Sequence, residues 1–333
     1  MKTSVLLRVL FLGVVFGMVS LGLNAQTLLV VEQGDSDLRI VDLPSGREVA
    51  TIAENTPGVH AHEIAVSGDR RTAFLPIYGS VGVGKHGLDG REMLVVDLPS
   101  HKIIGKVDFG HGVRPHCAVI DPASGMLYVT TELDRTVTVI DPRTWKVLGT
   151  IPTGQEQSHM LVLSQDGKRG YTANVGPGSV SVLDMKARKL IAVIPVAKNV
   201  QRISISRDNR LVFTADQTKP QLAVIDATNN RVKTWVALPG LGYGTAASPD
   251  GRWLLVTIHT TNQLAVVDLN TLAVVRSLDL PGSPQEVVIR ADGKMAYVSC
   301  NQSGKVAVID LTQWKVKSQI ATGKLPDGLG LAQ

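Results

Sequence analysis

The stretch Gln285-Glu-Val-Val-Ile-Arg-Ala-Asp-Gly-Lys-Met-Ala-Tyr-Val-Ser, continued by Val306-Ala-Val-Ile-Asp310 and Val316-Lys-Ser-Gln-Ile320, decides the fold of this chain. It contains four short runs rich in β-branched residues, separated by Asp-Gly and other turn-forming residues. The three-to-four-residue apolar spacing of an amphipathic helix does not occur in it. The stretch therefore predicts four antiparallel strands joined by tight turns.

A tripeptide of two branched apolar residues and an aspartate recurs through the chain at a nearly constant interval. Its seven copies are spaced by 55, 44, 43, 42, 42 and 42 residues. A fixed period of this length indicates a repeat architecture, and four strands per unit are typical of a propeller blade. The sequence thus predicts an all-β, seven-bladed β-propeller with four antiparallel strands per blade. The tripeptides end at Asp42, Asp97, Asp141, Asp184, Asp226, Asp268 and Asp310.

The two ends of the repeat region are complementary half-units. Thr27-Leu-Leu-Val-Val31 matches the second strand of a unit, and Asp327-Gly-Leu-Gly-Leu331 matches a first strand. Pairing of the C-terminal strand with the N-terminal blade would complete one blade and close the ring, which removes exposed sheet edges. We therefore expect a single propeller domain over residues 26–333.

Several units resemble the YVTN family of β-propeller repeats, within the YVTN repeat-like and quinoprotein amine dehydrogenase-like propellers. The resemblance lies in Met126-Leu-Tyr-Val-Thr-Thr with Val137-Thr-Val-Ile-Asp141, and in Arg169-Gly-Tyr-Thr-Ala-Asn with Val180-Ser-Val-Leu-Asp184. It implies the propeller fold over the mature chain without choosing a function. More distant relatives include seven-bladed lactonases, the haem d1 domain of nitrite reductase and the copper domain of nitrous oxide reductase.

The N-terminal segment has the pattern of an export signal. Lys2 and Arg8 precede an apolar run, residues 9–23, and Ala25 offers a small residue for cleavage. We expect residues 1–25 to be a signal peptide, with cleavage after Gly22 as the alternative, and the mature protein to be periplasmic or secreted. An uncleaved signal anchor is the other interpretation.

Composition restricts what the remaining chain can be. Without residues 1–25 it carries 32 basic and 29 acidic residues, a net charge of +3, so we expect no nucleic-acid partner. No further apolar run reaches membrane length, so no membrane span is expected after cleavage, and the protein is expected to be a monomer. With two cysteines and no Cys-x-x-Cys motif, neither a disulfide scaffold nor a thiolate zinc site is predicted.

One residue of each unit falls at the same position, where the innermost strand begins. In a propeller, this position shares one face with the loops between the second and third strands; we call it the upper face. These residues should surround the upper mouth of the central channel and are predicted ligand contacts. They are His62, His116, His159, Gln201, Tyr243, Gln285 and Asp327.

Three of these residues, His62, His116 and His159, fall on consecutive blades. Imidazole is a common transition-metal ligand, and three converging histidines suit Zn, Cu or Fe with an open coordination position. Glu132 and Asp216 are predicted on the same face, where either could act as a general base. The alternative is a polar mouth position whose histidines satisfy backbone groups and bind nothing.

The 55-residue interval reflects an insertion, residues 77–92, beside His62 on the upper face. Long loops in compact domains are often lids or binding loops. Its polar side chains are candidate ligand contacts, and a plain surface loop is the alternative. The candidates are Tyr78, Lys85, His86, Asp89, Arg91 and Glu92.

Three functional hypotheses follow. The first is a non-enzymatic binding or scaffold protein that holds a protein partner or a small ligand at its upper face. The second is a metal-dependent hydrolase or lyase of lactonase type that uses the histidine cluster. The third, prompted only by the distant relatives, is haem or copper handling in a respiratory pathway.

Overall fold

The computed structural model describes residues 26–332 and confirms a seven-bladed β-propeller. Each of the seven sheets is antiparallel, and consecutive strands of a blade are neighbours in its sheet. The predicted signal peptide, residues 1–25, lies outside the described residues. Between residues 26 and 332, no helix has the length and apolar character needed to cross a membrane.

The strands are numbered in chain order, and blades are numbered from the N-terminus. Blade 1 contains β1 (Thr27–Glu32), β2 (Asp37–Asp42), β3 (Arg47–Ala53) and β29 (Pro326–Ala332). Blade 2 contains β4 (His60–Ala61), β5 (Ala65–Val66), β6 (Thr72–Gly79), β7 (Asp89–Asp97) and β8 (Lys102–Asp108). Blade 3 contains β9 (Pro115–Ile120), β10 (Leu127–Thr131), β11 (Thr136–Asp141) and β12 (Lys146–Pro152).

Blades 4 to 7 each follow the regular four-strand pattern. Blade 4 contains β13 (Ser158–Leu163), β14 (Arg169–Asn174), β15 (Ser179–Asp184) and β16 (Lys189–Pro195), and blade 5 contains β17 (Val200–Ile205), β18 (Leu211–Asp216), β19 (Gln221–Asp226) and β20 (Arg231–Ala237). Blade 6 contains β21 (Gly242–Ala247), β22 (Trp253–Ile258), β23 (Gln263–Asp268) and β24 (Ala273–Asp279). Blade 7 contains β25 (Pro284–Ile289), β26 (Met295–Cys300), β27 (Lys305–Asp310) and β28 (Lys315–Ala321).

The ring closes as the complementary ends predict. Strand β29 pairs antiparallel with β1, with Leu28 opposite Leu331 and Leu29 opposite Gly330. The chain therefore contributes its last strand as the innermost strand of its first blade. The apolar core lies between neighbouring blades; for example, Leu255 and Val266 of blade 6 pack in one buried cluster with Val298 of blade 7.

The recurring aspartates are turn-forming residues. The Oδ1 atoms of Asp141, Asp226 and Asp310 each accept a backbone N–H two residues later, at 2.9, 2.8 and 2.8 Å. Such a bond shapes the tight turn between the third and fourth strands. Backbone donors also hold the pKa of Asp141 and Asp226 below its usual value. The repeat thus marks turns on the face opposite to the mouth.

Candidate functional site

A cavity of about 370 Å³ lies at the upper mouth of the channel, and we call it the central cavity. Its lining includes the residue predicted from each of the seven blades, so the structure brings all seven to one place. Gln33, His60, Arg202 and Asn301 also line it, as do residues 80–83 of the inserted loop. The seven shared positions are His62, His116, His159, Gln201, Tyr243, Gln285 and Asp327.

A β-bulge at the start of the inner strands directs these side chains toward the cavity. In blade 5 the pairing jumps from Val200–Asp216 to Ile203–Thr214, so Gln201 and Arg202 oppose a single residue of the next strand. The same one-residue excess occurs in blades 6 and 7. Bulges bend a strand and re-aim side chains, and they are frequent beside functional sites. In blade 5 the bulge therefore brings two consecutive residues to the central cavity.

The three histidines surround a buried tyrosine, Tyr78. Its ring centroid lies 4.9 Å from that of His62, 5.0 Å from His116 and 5.4 Å from His159. Tyr78 is fully buried and does not line the central cavity. The prediction that Tyr78 contacts ligand from a loop is therefore corrected: it ends strand β6 and supports the histidines from behind.

Glu132 joins this group through one carboxylate oxygen. Its Oε2 accepts the Tyr78 hydroxyl at 2.9 Å and lies 3.0 Å from Nδ1 of His159. Burial, and then the charge of Glu132, raise the pKa of Tyr78, so the phenol stays protonated and donates. We assign the Nδ1–H tautomer to His159, which leaves Nε2 as its acceptor toward the cavity. We call His62, His116, His159, Tyr78 and Glu132 the imidazole half.

The three histidines come together without forming a metal site. The rings of His116 and His159 are stacked, with centroids 3.5 Å apart and planes inclined by 27°. Lone pairs of imidazole lie in the ring plane, so nearly parallel rings direct them side by side and not toward one ion. Among residues 26–332, no three His, Cys, Asp or Glu side chains are arranged to hold a metal. Of the three predicted Zn, Cu or Fe ligands, His116 and His159 are thus stacked, and His62 meets His116 edge-on with ring planes inclined by 71°.

Two imidazole nitrogens of this group have no hydrogen-bond partner. They are Nε2 of His62 and Nδ1 of His116, both buried in residues that line the central cavity. Burial lowers the pKa of both histidines well below its usual value, so the rings are neutral at pH 7. A neutral imidazole offers one donor and one acceptor, and an unpaired buried polar atom costs about 1–3 kcal/mol.

The opposite side of the mouth holds a buried arginine that the sequence analysis missed. Nη1 of Arg202 lies 2.6 Å from Glu63 and 3.2 Å from Glu286, and Nη2 lies 2.9 Å from Asp327. Burial raises the pKa of Glu63 well above its usual value and that of Asp327 to about 6. We call these four residues the charged half. Glu63, Arg202 and Glu286 each follow a predicted mouth residue by one position.

The remaining mouth residues are polar and partly exposed. Nε2 of Gln201 donates to the Tyr243 hydroxyl at 3.1 Å, and the Arg202 guanidinium lies 5.4 Å from the Tyr243 ring centroid. Gln285 donates to Ser283 at 3.0 Å. Asp327 also accepts a hydrogen bond from Gln33. These contacts hold amide groups at the cavity with part of their hydrogen-bonding capacity unused.

The insertion at residues 77–92 is strand at both of its ends. Strand β6 continues to Gly79 and β7 begins at Asp89, so residues 80–88 form the loop itself. Residues 80–83 line the central cavity, whereas Lys85 and His86 line a second cavity of about 370 Å³ together with Glu132. The two predicted contacts therefore belong to a different cavity from the mouth residues.

Three other candidates lie outside the central cavity. Arg91 pairs with Asp108 at 2.9 Å, and Glu92 pairs with Lys106 at 2.6 Å, both between the two outer strands of blade 2. The Asp216 carboxylate accepts Thr218 and Gln221 at 2.7 and 2.9 Å and lines neither cavity. Burial raises the pKa of Asp216, but these hydrogen bonds outweigh it and lower the value overall. The structure therefore gives neither Arg91 nor Asp216 its predicted role.

Comparisons with known families and structures agree with the fold. A family model described as lactonase, 7-bladed beta-propeller, matches residues 44–234, and a model described as YNCE-like beta-propeller matches residues 238–332. The search of curated proteins finds no match.

Three solved structures illustrate the structural similarity. Hydrazine synthase of Kuenenia stuttgartiensis has a TM-score of 0.70 at 18% identity, over 82% of this chain and 89% of that chain. A functionally unknown protein from Desulfotomaculum acetoxidans has a TM-score of 0.75 at 15% identity, over 92% and 98%. The dihydro-heme d1 dehydrogenase NirN, in complex with DHE, has a TM-score of 0.64 at 14% identity, over 93% and 76%. At these identities the similarity concerns the fold.

Proposed function

We propose that this chain, which belongs to the seven-bladed β-propeller lactonase family, binds a small hydroxylated molecule in its central cavity. The observation that carries the proposal is the pair of buried, unpaired imidazole nitrogens on His62 and His116. A hydroxyl group both donates and accepts, so it can satisfy a neutral imidazole nitrogen in either tautomer. Binding would remove the cost of two unpaired polar atoms.

The rest of the cavity supports the same ligand class. Its volume of about 370 Å³ lies in the range of small-molecule sites. Side-chain amides of Gln201, Gln285 and Asn301 line it, and each amide can donate to one hydroxyl and accept from another. The matching family is described as lactonase, so a hydroxylated lactone is a candidate ligand. Such a lactone carries both hydroxyl groups and a carbonyl acceptor.

Calorimetric titration of the mature protein with D-glucitol and with galactono-1,4-lactone tests this function. We expect saturable binding of at least one compound, weakened at least tenfold by His116→Ala. The control is His101→Asn, an exposed histidine in a turn on the opposite face, where asparagine tolerates the positive φ. Absence of binding by the parent protein, or equal loss in both variants, would contradict the proposal.

Hydrolysis of a lactone is the second candidate function, favoured by the Glu132–His159 contact of 3.0 Å. A carboxylate that fixes Nδ1–H orients the imidazole as a base at Nε2. Water would add to the lactone carbonyl as Nε2 of His159 takes its proton. The ring C–O bond would then break, with that proton passing to the leaving oxygen, to give a hydroxy acid. No step depends on a metal ion.

Proton release during opening of galactono-1,4-lactone measures this second activity. We expect His159→Gln to abolish the enzymatic rate and His101→Asn to leave it unchanged. A parent protein that binds the lactone but does not open it would keep the binding function and remove the hydrolase.

Export of the mature chain is part of the proposed function. The charged start, the apolar run at residues 9–23 and the small residue at position 25 support it. Mass spectrometry of the protein recovered from a bacterial periplasm should give an N-terminus at Gln26. A cytoplasmic product that retains Met1 would contradict export.

A further inference from the structure

We propose that the central cavity selects neutral hydroxylated ligands and excludes the carboxylates of the same carbon skeleton. The inference rests on the proposed function, and it adds a charge requirement to the ligand class. It comes from the arrangement of fixed charges around the cavity.

The charged half carries more acidic than basic groups. One cation, Arg202, faces Glu63, Glu286 and Asp327, with nitrogen–oxygen distances of 2.6, 3.2 and 2.9 Å. Arg202, Glu63 and Asp327 are each at most 5% exposed, so water screens this cluster poorly. If Glu63 holds a proton, two carboxylates still face one guanidinium. The charged half therefore keeps a negative excess beside the cavity.

The imidazole half does not offset this charge. His62 and His116 are neutral at pH 7, because burial lowers the pKa of both, and each keeps a buried nitrogen without a partner. Behind them, Glu132 adds a further carboxylate that contacts His159 at 3.0 Å. The Arg114 guanidinium, 5.7 Å from the Tyr78 ring centroid, is paired with Asp89 at 2.5 Å. Arg202 is the only cationic side chain among the described residues that line the cavity.

A carboxylate ligand would enter a negative potential with every available cation already paired. At an effective dielectric constant of about 20, one uncompensated charge about 8 Å away weakens binding of an anion by tenfold or more. A hydroxyl or lactone carbonyl pays no such Coulomb penalty. If the second candidate activity holds, the same field would favour release of the hydroxy acid product.

D-Glucitol and D-gluconate make a matched pair of probes, since both are six-carbon polyols and only gluconate is charged. Calorimetric titration at pH 8 should show glucitol binding at least tenfold more tightly. Glu286→Gln removes one charge and keeps an acceptor for the Leu329 N–H. It should therefore lower the ratio of the glucitol affinity to the gluconate affinity by about threefold or more. Glu48→Gln, an exposed change on β3 of blade 1, is the control and should leave the ratio unchanged.

The outcomes separate this inference from the proposed function. Gluconate binding as tightly as glucitol, or more tightly, would overturn the charge selection and leave ligand binding intact. An equal ratio in the parent and in Glu286→Gln would also overturn it. If neither compound nor galactono-1,4-lactone binds, the proposed function fails and the selection fails with it.

Discussion

The three histidines of the imidazole half take the mouth position of their blades, whereas three of the four residues in the charged half follow a mouth residue by one position. The two halves differ in whether their buried polar atoms have an ionic partner. In the charged half, Arg202 contacts carboxylates from three other blades. In the imidazole half, His62 and His116 each keep a buried nitrogen unpaired. The comparison teaches that neighbouring positions at the start of the inner strands can hold either paired charges or unpaired imidazole nitrogens, and that the side chain decides which.

The largest expected effect breaks the charged half. Arg202→Met leaves three neighbouring carboxylates without their cation, and removing one partner of a buried ionic cluster costs about 3–5 kcal/mol. We expect the free energy of unfolding, measured by urea denaturation, to fall by that amount. His116→Gln in the imidazole half should change it by less than about 1 kcal/mol. Equal losses in the two variants would remove the distinction between the halves.

A second prediction uses pH, because the two halves respond in opposite directions. Burial raises the pKa of Asp327 from 3.8 to about 6, so its contribution to stability is present below about pH 4 and lost as pH rises through 6. Burial lowers the pKa of His62 and His116, so these two residues reduce the free energy of unfolding as pH falls below 6.5.

Urea denaturation from pH 4 to pH 8 measures these two opposite pH dependences of the free energy of unfolding. Asp327→Asn should remove about 2 kcal/mol of the stability that the parent loses as pH rises from 4 to 6, and His116→Gln should remove part of the stability lost as pH falls below 6.5. The prediction is wrong if Asp327→Asn leaves the change between pH 4 and pH 6 as it is in the parent.

A third, smaller effect concerns the orientation of His159. Glu132→Gln removes the charged acceptor for Tyr78 and His159, with an expected loss of about 1–2 kcal/mol in the free energy of unfolding. Nitrogen-15 shifts should show Nδ1–H at His159 in the parent and a mixture of tautomers in the variant. Glu156→Gln also changes a residue of the second cavity, but it does not contact His159 and should preserve the tautomer.

The smallest expected effect is on ligand affinity, and it tests whether the ligand site ends at the central cavity. Lys85 lines the second cavity, so Lys85→Ala should change the affinity for galactono-1,4-lactone by less than about twofold. Titration beside His116→Ala makes the comparison within one experiment. A tenfold loss on Lys85→Ala would mean that the ligand extends beyond residues 80–83 into the second cavity.

The repeat made the fold and half of the mouth predictable. The spacing of the aspartates gave the number of blades, and alignment on that spacing placed residues such as His62 and Gln285 at one cavity. The repeat spacing could not predict Arg202 or Glu63 at the mouth. In a regular strand, a residue next to a mouth residue would face the other side of the sheet, and the bulge breaks this alternation.

Other details depend on geometry that spacing does not encode. Three histidines at one repeat position fit either a metal site or a stack, and only the ring orientations of His116 and His159 separate them. The 55-residue interval predicts Tyr78 in an inserted loop, because spacing shows only that extra residues are present and not where the strand ends. In the structure, pairing of β6 with β7 extends to Gly79 and buries its ring.

The pairing of β29 with β1 has a consequence for the mouth. Asp327 lies on β29 and reaches Arg202 in blade 5, while the same strand pairs with β1 in blade 1. Ring closure and the electrostatics of the mouth are therefore coupled. Separating β29 from β1 would open the sheet of blade 1 and withdraw one carboxylate from Arg202 in the same step.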